Sequence, residues 1–431
     1  MGFDVNIAIA ILLGTFVLLL ILKVPVTFSL GISAIVTAIY VKMPLITIVS
    51  KMVKGIESSS LLAIPFFILA GEIMGAGGIS KRIIQFANVL IGRVRGGLGL
   101  VNVLASMFFG GISGSAVADT SSIGAMLIPM MKETGYDDDY SVAVTVTSSC
   151  QGVIIPPSHN MIIYSLVAGG VSVGKLFMGG IIPGILLGVA LMVISYILAV
   201  KRKYPKGEAV GFKEGIKISI DAFFGVFTAI IIIVGVLAGI FTATESAAVA
   251  CLYAFIITFF VYKEIKIKEM WKILFRALKT LALVLSLIAT AKAFGHMLAL
   301  LQVPRLATNA LLTISQSPVV LLLLINLLIL ALGCIMDMAP LILILTPILL
   351  PVVTQLGMDP VQFGIVLILN LGIGLCTPPV GGALFVGCAI GKVSIEKVTK
   401  ALIPFYLTMI IVLLLITFIP QIVMFLPNLV F

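Results

Sequence analysis

Four short stretches of this sequence bring together residue types that bind ions with little formal charge. They are residues 110–122 (GGISGSAVADTSS), 152–159 (GVIIPPSH), 333–340 (GCIMDMAP) and 372–382 (GIGLCTPPVGG). Glycines and paired prolines there free backbone carbonyls from helical pairing, small hydroxyls stand beside them, and no stretch holds more than one carboxylate. The first two offer Ser113, Ser115, Thr120, Ser121, Ser122, Gly152 and Ser158, with Ser148 and Ser149 just ahead of the second. The other two offer Gly333, Asp337, Gly374 and Thr377, with Asn370 adjacent. Carbonyls and hydroxyls suit a hard monovalent cation such as Na⁺, whereas a divalent ion usually collects several carboxylates. A helix that restarts after such a break presents free N–H groups and a positive dipole end, which suits an anionic substrate. Na⁺ coupled to an organic anion is the chemistry expected.

The elements that hold these stretches must be membrane helices. Of 431 residues, 61% are hydrophobic and 10% charged, with mean hydropathy +1.29. The apolar residues fall in runs of about 20, the length of a spanning helix. This excludes a soluble enzyme, a disordered chain and a disulfide scaffold, and the absence of alternating strands excludes an outer-membrane barrel. An all-α polytopic membrane protein is expected. The net charge of +10 then belongs to cytoplasmic loops and does not call for nucleic acid. The five cysteines lie inside apolar stretches without a CxxC pair and read as packing residues. Residues 1–22 lack a basic leader and a small-residue cleavage site, so they read as the first span.

Charge gives the orientation. Residues 201–217 and 263–279 each hold six basic and two acidic side chains, net +4, and both are expected in the cytoplasm. Between them, residues 222–240 and 246–262 cross out and back. In the first part, residues 4–22 and 26–40 span, and residues 61–78 return to a third basic cluster, Lys81, Arg82, Arg93 and Arg95. The N-terminus is then extracytoplasmic. Residues 96–131 contain no Lys or Arg, yet they are too short for two full spans and a turn, which need more than about 40 residues. A re-entrant hairpin fits, because irregular backbone at mid-membrane depth is tolerated where it lines a cavity. The next crossing, residues 140–170, is broken at its double proline.

The same order recurs 222 residues later. Pro156-Pro157 matches Pro378-Pro379, and the same separation relates Gly111 to Gly333, Pro129 to Pro351, Gly135 to Gly357 and Gly152 to Gly374. It also relates Gly169 to Gly391, Ser172 to Ser394 and Lys175 to Lys397. Residues 1–210 and 211–431 therefore read as two repeats. The second has its hairpin at about 318–355 and its broken helix at about 362–391. Five crossings per half is an odd number, so the second half is expected to run inverted, a recurring design of secondary transporters whose breaks mark a midplane site.

Glu72, Asp119, Glu245, Lys292 and Asp337 are ionisable groups in apolar surroundings. Asp119 and Asp337 lie in the hairpin tips. Glu72 and Lys292 occupy repeat-equivalent helices and are candidates for pairing with each other; Glu245 sits in a turn. His159 flanks a break as polar lining, and His296 reads as interfacial. Gly111-Ile-Ser-Gly114 echoes a serine nucleophile motif, but no base is placed to activate it, which argues against an intramembrane enzyme.

At these residues the sequence resembles a known family. IPFFILAGEIM (64–74), FFGGISGSAVADTSSIGAMLIPMM (108–131) and GVIIPPS (152–158) resemble the large membrane subunit of TRAP transporters, and LGIGLCTPPVGGALFVG (371–387) continues the match with slight departures. The resemblance implies the ion-transporter superfamily fold, with a scaffold and an elevator-like transport domain. It implies Na⁺-driven import of an organic acid across the bacterial inner membrane, with no other cofactor. A periplasmic binding protein would deliver the acid, and a small four-helix membrane subunit would be a further partner, both working at the lipid bilayer. C4-dicarboxylate, sialic acid and other sugar acids are the substrates it allows. Carried over by position, one Na⁺ site would involve Gly110, Ser113, Ser115, Ser149, Gly152 and Pro156. The other would involve Gly333, Asp337, Met338, Gly374 and Thr377. Asp119, Thr120, Ser158, Asn370 and Pro379 are the substrate candidates. A stand-alone exchanger of the same superfamily is the alternative, and it would need no binding protein.

The parity of crossings makes a test. In a cysteine-free background, Lys206→Cys and Lys268→Cys should react with an impermeant thiol reagent only from the cytoplasm, and Gln316→Cys and Asn428→Cys only from outside. Labelling of Gln316→Cys from the same side as Lys206→Cys would contradict the inverted count.

Overall fold

The computed structural model describes residues 3–207 and 210–431, apart from the side chains at positions 59, 60, 112 and 237. Glu208, counted above in a basic loop, lies outside the described residues. The described chain is helical. Its first half comprises α1 (Val5–Ile21), α2 (Val26–Tyr40), α3 (Leu45–Ile56), α4 (Ala63–Ala76), α5 (Ile79–Ile91), α6 (Gly97–Ser113), α7 (Ala116–Glu133), α8 (Asp138–Ser149), α9 (His159–Val167) and α10 (Val173–Lys201). Its second half comprises α11 (Phe212–Leu237), α12 (Ala243–Ile256), α13 (Ile267–Leu300), α14 (Val303–Ile314), α15 (Pro318–Gly333), α16 (Met338–Gln355), α17 (Pro360–Leu375), α18 (Gly382–Gly391), α19 (Ile395–Phe418) and α20 (Pro420–Val430). Among the described residues, six helices are long and apolar enough to cross a bilayer, or seven if α4 and α5, bent by 71°, count as one.

Local chemistry sets where the helices begin. An oxygen-bearing residue with extended backbone can accept from the first free N–H groups, so it starts a helix well. Ser115 accepts from Ala118 N ahead of α7, and Asp337 accepts from Met338 N ahead of α16. Asp359 accepts from Val361 N at α17, and Ser172 from Lys175 N at α10. These helices start at the sequence spacing: Ala116 and Met338, Asp138 and Pro360, and Val173 and Ile395 are each 222 residues apart. Packing follows the same spacing. The Tyr140 hydroxyl donates to Ser195 O (3.1 Å), and at the matching positions Gln362 Nε2 donates to Thr417 O (3.0 Å). Both double prolines contain a cis peptide bond.

One pair of segments departs from the match. Leu45 and Ile267 both begin helices, but the first is interrupted by a 3₁₀ turn at Ser59–Leu62 before α4, whereas α13 runs 34 residues unbroken. At about 1.5 Å per residue α13 is about 51 Å long, well beyond a hydrocarbon core of about 30 Å.

The three basic clusters meet at one end. Arg82 Nε donates to Asp221 (2.9 Å), its NH2 donates to Glu264 (3.2 Å), and its guanidinium covers the Tyr262 ring at 3.7 Å. Gly96 N donates to Pro205 O (2.9 Å). Arg202 pairs with both Asp137 and Asp139 at 2.9 Å. The Tyr204 hydroxyl and then Arg202 hold the Asp137 carboxyl below the ordinary carboxylate range. Lys132 Nζ donates to Gly391 O (2.8 Å), which ties the foot of one hairpin to the far end of the other half's broken helix.

Each hairpin stops level with a break. At 17 and 18 residues, α6 and α7 are about 26–27 Å long. Their turn consists of Gly114, at φ +62°, and the extended Ser115. It lies against the start of α9, where Asn160 Nδ2 donates to Gly114 O (3.3 Å). In the second half, Val380 N, within the break, donates to Cys334 O at the tip (3.1 Å).

Candidate functional site

Hairpin and broken helix touch through backbone. A β-carbon placed on Gly110 would lie 2.2 Å from Gly152 Cα, and one on Gly152 would lie 2.7 Å from Gly110 Cα. In the second half, a β-carbon on Gly374 would lie 2.5 Å from the Gly333 carbonyl carbon and 2.7 Å from its Cα. Glycine is required at Gly110, Gly152 and Gly374, whereas a β-carbon on Gly333 would come no closer than 3.3 Å, to Leu371 Cδ2. The two breaks also meet each other: a β-carbon on Gly372 would lie 2.9 Å from Cys150 Sγ and from Val153 Cγ2. Four irregular stretches from distant parts of the chain are thereby gathered into one region.

Both tips open on a cavity of about 800 Å³. Ser113, Ser115, Ala116 and Val117 line it from the first hairpin, and Asp337, Met338 and Ala339 from the second. His159 and Asn160 reach it from the start of α9. Opposite stand Gly71, Glu72 and Gly75 of α4, with Arg276 and Thr280 of α13. The N-termini of α7 and α16 thus both face the cavity, each with a positive dipole end suited to an anion. Arg276 is the one Lys or Arg on the wall among the described residues. Its Nε donates to Glu72 at 2.9 Å, while its side chain stays 54% exposed.

The remaining candidates surround this cavity at different depths. The Pro156 carbonyl oxygen lies 3.0 Å from where a Gly111 β-carbon would stand, so it points into the first seam. The Thr377 hydroxyl donates to Ile373 O (2.7 Å), and Thr377 N donates to Gly374 O (2.9 Å), which closes the turn before Pro379. Thr120 donates to Ser149 Oγ (2.9 Å), behind the tip rather than on the cavity wall. Asp119 is also fully buried there. Asn370 Nδ2 donates to the backbone and side-chain oxygens of Asn326, both at 2.9 Å. Ser158 Oγ, Asn370 Oδ1 and both Asp119 oxygens are buried without a full hydrogen bond among the described residues. No cluster of three or more His, Cys, Asp or Glu occurs among the described residues.

Two expectations about charges change. Glu72 pairs with Arg276, while Lys292 Nζ donates to Leu166 O (3.2 Å). Arg276 had been counted as a loop charge, but α13 starts at Ile267 and carries it into the helical body. Glu245 closes a capping box with Thr242 at the start of α12 and is exposed. Asn160, Asn102 and Ser106 had not been singled out. The last two stand one turn apart on α6, a four-residue spacing of small polar groups that sequence alone displays.

The model of the family described as "Tripartite ATP-independent periplasmic transporter, DctM component" matches residues 13–422. The sialic acid TRAP transporter large permease protein SiaM of Vibrio cholerae is 40% identical over 95% of this chain and 96% of that protein. The C4-dicarboxylate TRAP transporter large permease protein DctM of Pseudomonas aeruginosa is 36% identical over 93% and 94%. Among solved structures, the Alcanivorax borkumensis YdaH transporter superposes with TM-score 0.64 at 13% identity, covering 86% of each chain, which shows a shared fold.

The glycine seams make a direct prediction. Gly152→Ala and Gly374→Ala force backbones apart, an overpacking that costs about 1–3 kcal/mol, and both should lower the melting temperature. Gly295→Ala is the control, since its β-carbon would meet nothing within 4 Å. A Gly374→Ala melt matching that of Gly295→Ala would show that the seam is not a close contact.

Proposed function

The chain belongs to the family of the DctM component of tripartite ATP-independent periplasmic transporters, and from that premise we propose that it imports an organic acid across the bacterial inner membrane on a Na⁺ gradient. The family is one of secondary transporters, not enzymes, and the chain is a multi-pass membrane protein. A periplasmic binding protein delivers the acid, and a small membrane subunit completes the complex. The substrate is a carboxylate of the kind that relatives are named for, sialic acid or a C4-dicarboxylate.

The observation that carries this reading is the convergence of two glycine seams and two helix N-termini on one cavity. Each seam gathers carbonyl and hydroxyl oxygens around a single carboxylate or none, which suits Na⁺. One ion sits among Gly110, Ser113, Ser115, Ser149, Gly152 and Pro156, and the other among Gly333, Asp337, Met338, Gly374 and Thr377. The anion lies in the cavity between them, facing the α7 and α16 dipoles, with Arg276 as the counter-charge on the opposite wall. Bound Na⁺ at the tips offsets the substrate's charge, so neither binds well alone and their movements are coupled. The hairpins and broken helices then travel together past α4 and α13, as an elevator. Residues 1–210 and 211–431 lie in the membrane with opposite orientation, which lets one site be presented to either side.

Proteoliposomes holding the chain with its small subunit test the coupling. With ligand-loaded binding protein outside, uptake should follow an inward Na⁺ gradient and fall to background when K⁺ replaces Na⁺ under a proton gradient. Equal uptake in the two conditions would contradict Na⁺ coupling. Full-rate uptake of free substrate without the binding protein would instead favour an exchanger.

A further inference from the structure

Behind the first hairpin tip, α6, α7 and α8 enclose a polar cluster that neither the seams nor the cavity uses. Asn102 and Ser106 of α6, Asp119 of α7, and Thr145 and Ser148 of α8 are all fully buried. Asn102 Nδ2 donates to Thr145 Oγ1 (2.6 Å), Ser148 Oγ donates to Asn102 Oδ1 (3.1 Å), and the Ser106 and Ser148 hydroxyls share a hydrogen bond at 3.0 Å. The Ser106 hydroxyl lies beside the Asp119 carboxylate. Beyond Ser106, neither Asp119 oxygen has a hydrogen-bond partner among the described residues.

Among the described residues, no basic side chain nearby balances that charge. α6 carries no ionisable side chain, and α8 carries no Lys, Arg or His. Its carboxylates, Asp138 and Asp139, sit in its first turn, paired with Lys132 and Arg202. On α5, Lys81 is exposed and Arg82 is committed to Asp221 and Glu264. On α18, which also packs against α7, the sequence offers Cys388 alone. A buried carboxylate without a charged partner is strongly unfavourable unless a cation joins it or it takes up a proton.

We propose that Asp119 is the anionic ligand of a third cation site, which takes one Na⁺ between α6, α7 and α8. The Ser106 and Ser148 hydroxyl oxygens and Asn102 Oδ1 complete the ligand shell. The amide protons of Asn102 and the hydroxyl proton of Ser148 are spent inside the cluster, which leaves oxygen lone pairs free for a cation. A single carboxylate balances a single positive charge, and the lack of companion His, Cys, Asp or Glu speaks against a divalent ion. The ion ties the root of α7 to α6 and α8, so it steadies the first hairpin from behind. The proposal rests on the reading of Na⁺ as the coupling ion, and goes beyond it in number and place.

The test counts ions on the purified complex of the chain and its small subunit, without substrate, by equilibrium binding of radioactive ²²Na⁺ in K⁺ buffer. Asp119→Asn, close to isosteric, should bind one Na⁺ fewer per chain than wild type. Ser106→Ala keeps the carboxylate and should weaken one Na⁺ about tenfold or more. An unchanged count and affinity in Asp119→Asn would overturn this site, and would mean that the carboxyl is held protonated, while leaving the two seam sites standing. If Asp119→Asn does not fold, unchanged Na⁺ affinity in Ser106→Ala overturns it equally. A wild-type complex that binds no Na⁺ would remove the Na⁺ reading as a whole.

Discussion

Two hairpins lie against two broken helices with no side chain between them, at Gly110 and Gly152 and again at Gly333 and Gly374. That approach positions everything else at the cavity. A methyl group on Gly110, Gly152 or Gly374 would force the backbones apart and carry the tips away from the breaks. With glycine on both sides, carbonyls that helix geometry would have hidden are held near the hydroxyls of the facing tip. The double prolines contribute by removing donors, so the carbonyls of the preceding turn lack a helical partner. The site is made chiefly of main chain, and side chains trim it.

This economy of charge is what a membrane interior demands. A carboxylate or guanidinium at mid-depth is costly unless paired, whereas a carbonyl or hydroxyl costs much less to bury. The wall opposite the tips holds Glu72 and Arg276 as a pair, each partly exposed to the cavity. Asp337 serves first as the cap of α16, a role that Ser115 fills at the matching position of α7. The two halves therefore share one backbone solution, and differ in whether the cap carries charge. Asp119 is the exception, a carboxylate fully buried away from the cavity with no ion-pair partner among the described residues.

Much of the arrangement was legible in the sequence because it is encoded locally. Glycines, double prolines and capping residues act within a few positions of themselves, so their recurrence at a fixed spacing reappears in helix starts 222 residues apart. The helix starts at Ala116 and Met338 follow from Ser115 and Asp337, which any reader of the chain can see. What was not legible depends on how helices face one another. The partner of Glu72 is a residue 204 positions away, and it looked like a loop charge because α13 begins before its apolar stretch does. The interruption between α3 and α4, where the second half runs straight through, has no equally clear mark in the sequence. The burial of Asp119 beside Ser106, and of Asn102 against Thr145 and Ser148, needed the packing of three helices.

If the seams exist to assemble cation sites, ion binding must quieten the tips. Amide hydrogen exchange of the complex, compared in Na⁺ and in K⁺ buffer without substrate, measures this directly. Exchange across residues 110–118 and 333–340 should slow in Na⁺ at both tips, while α1 exchanges at the same rate in either salt. Tips that exchange equally fast in Na⁺ and K⁺ would contradict the account, because backbone brought together at the glycines would then be serving packing alone.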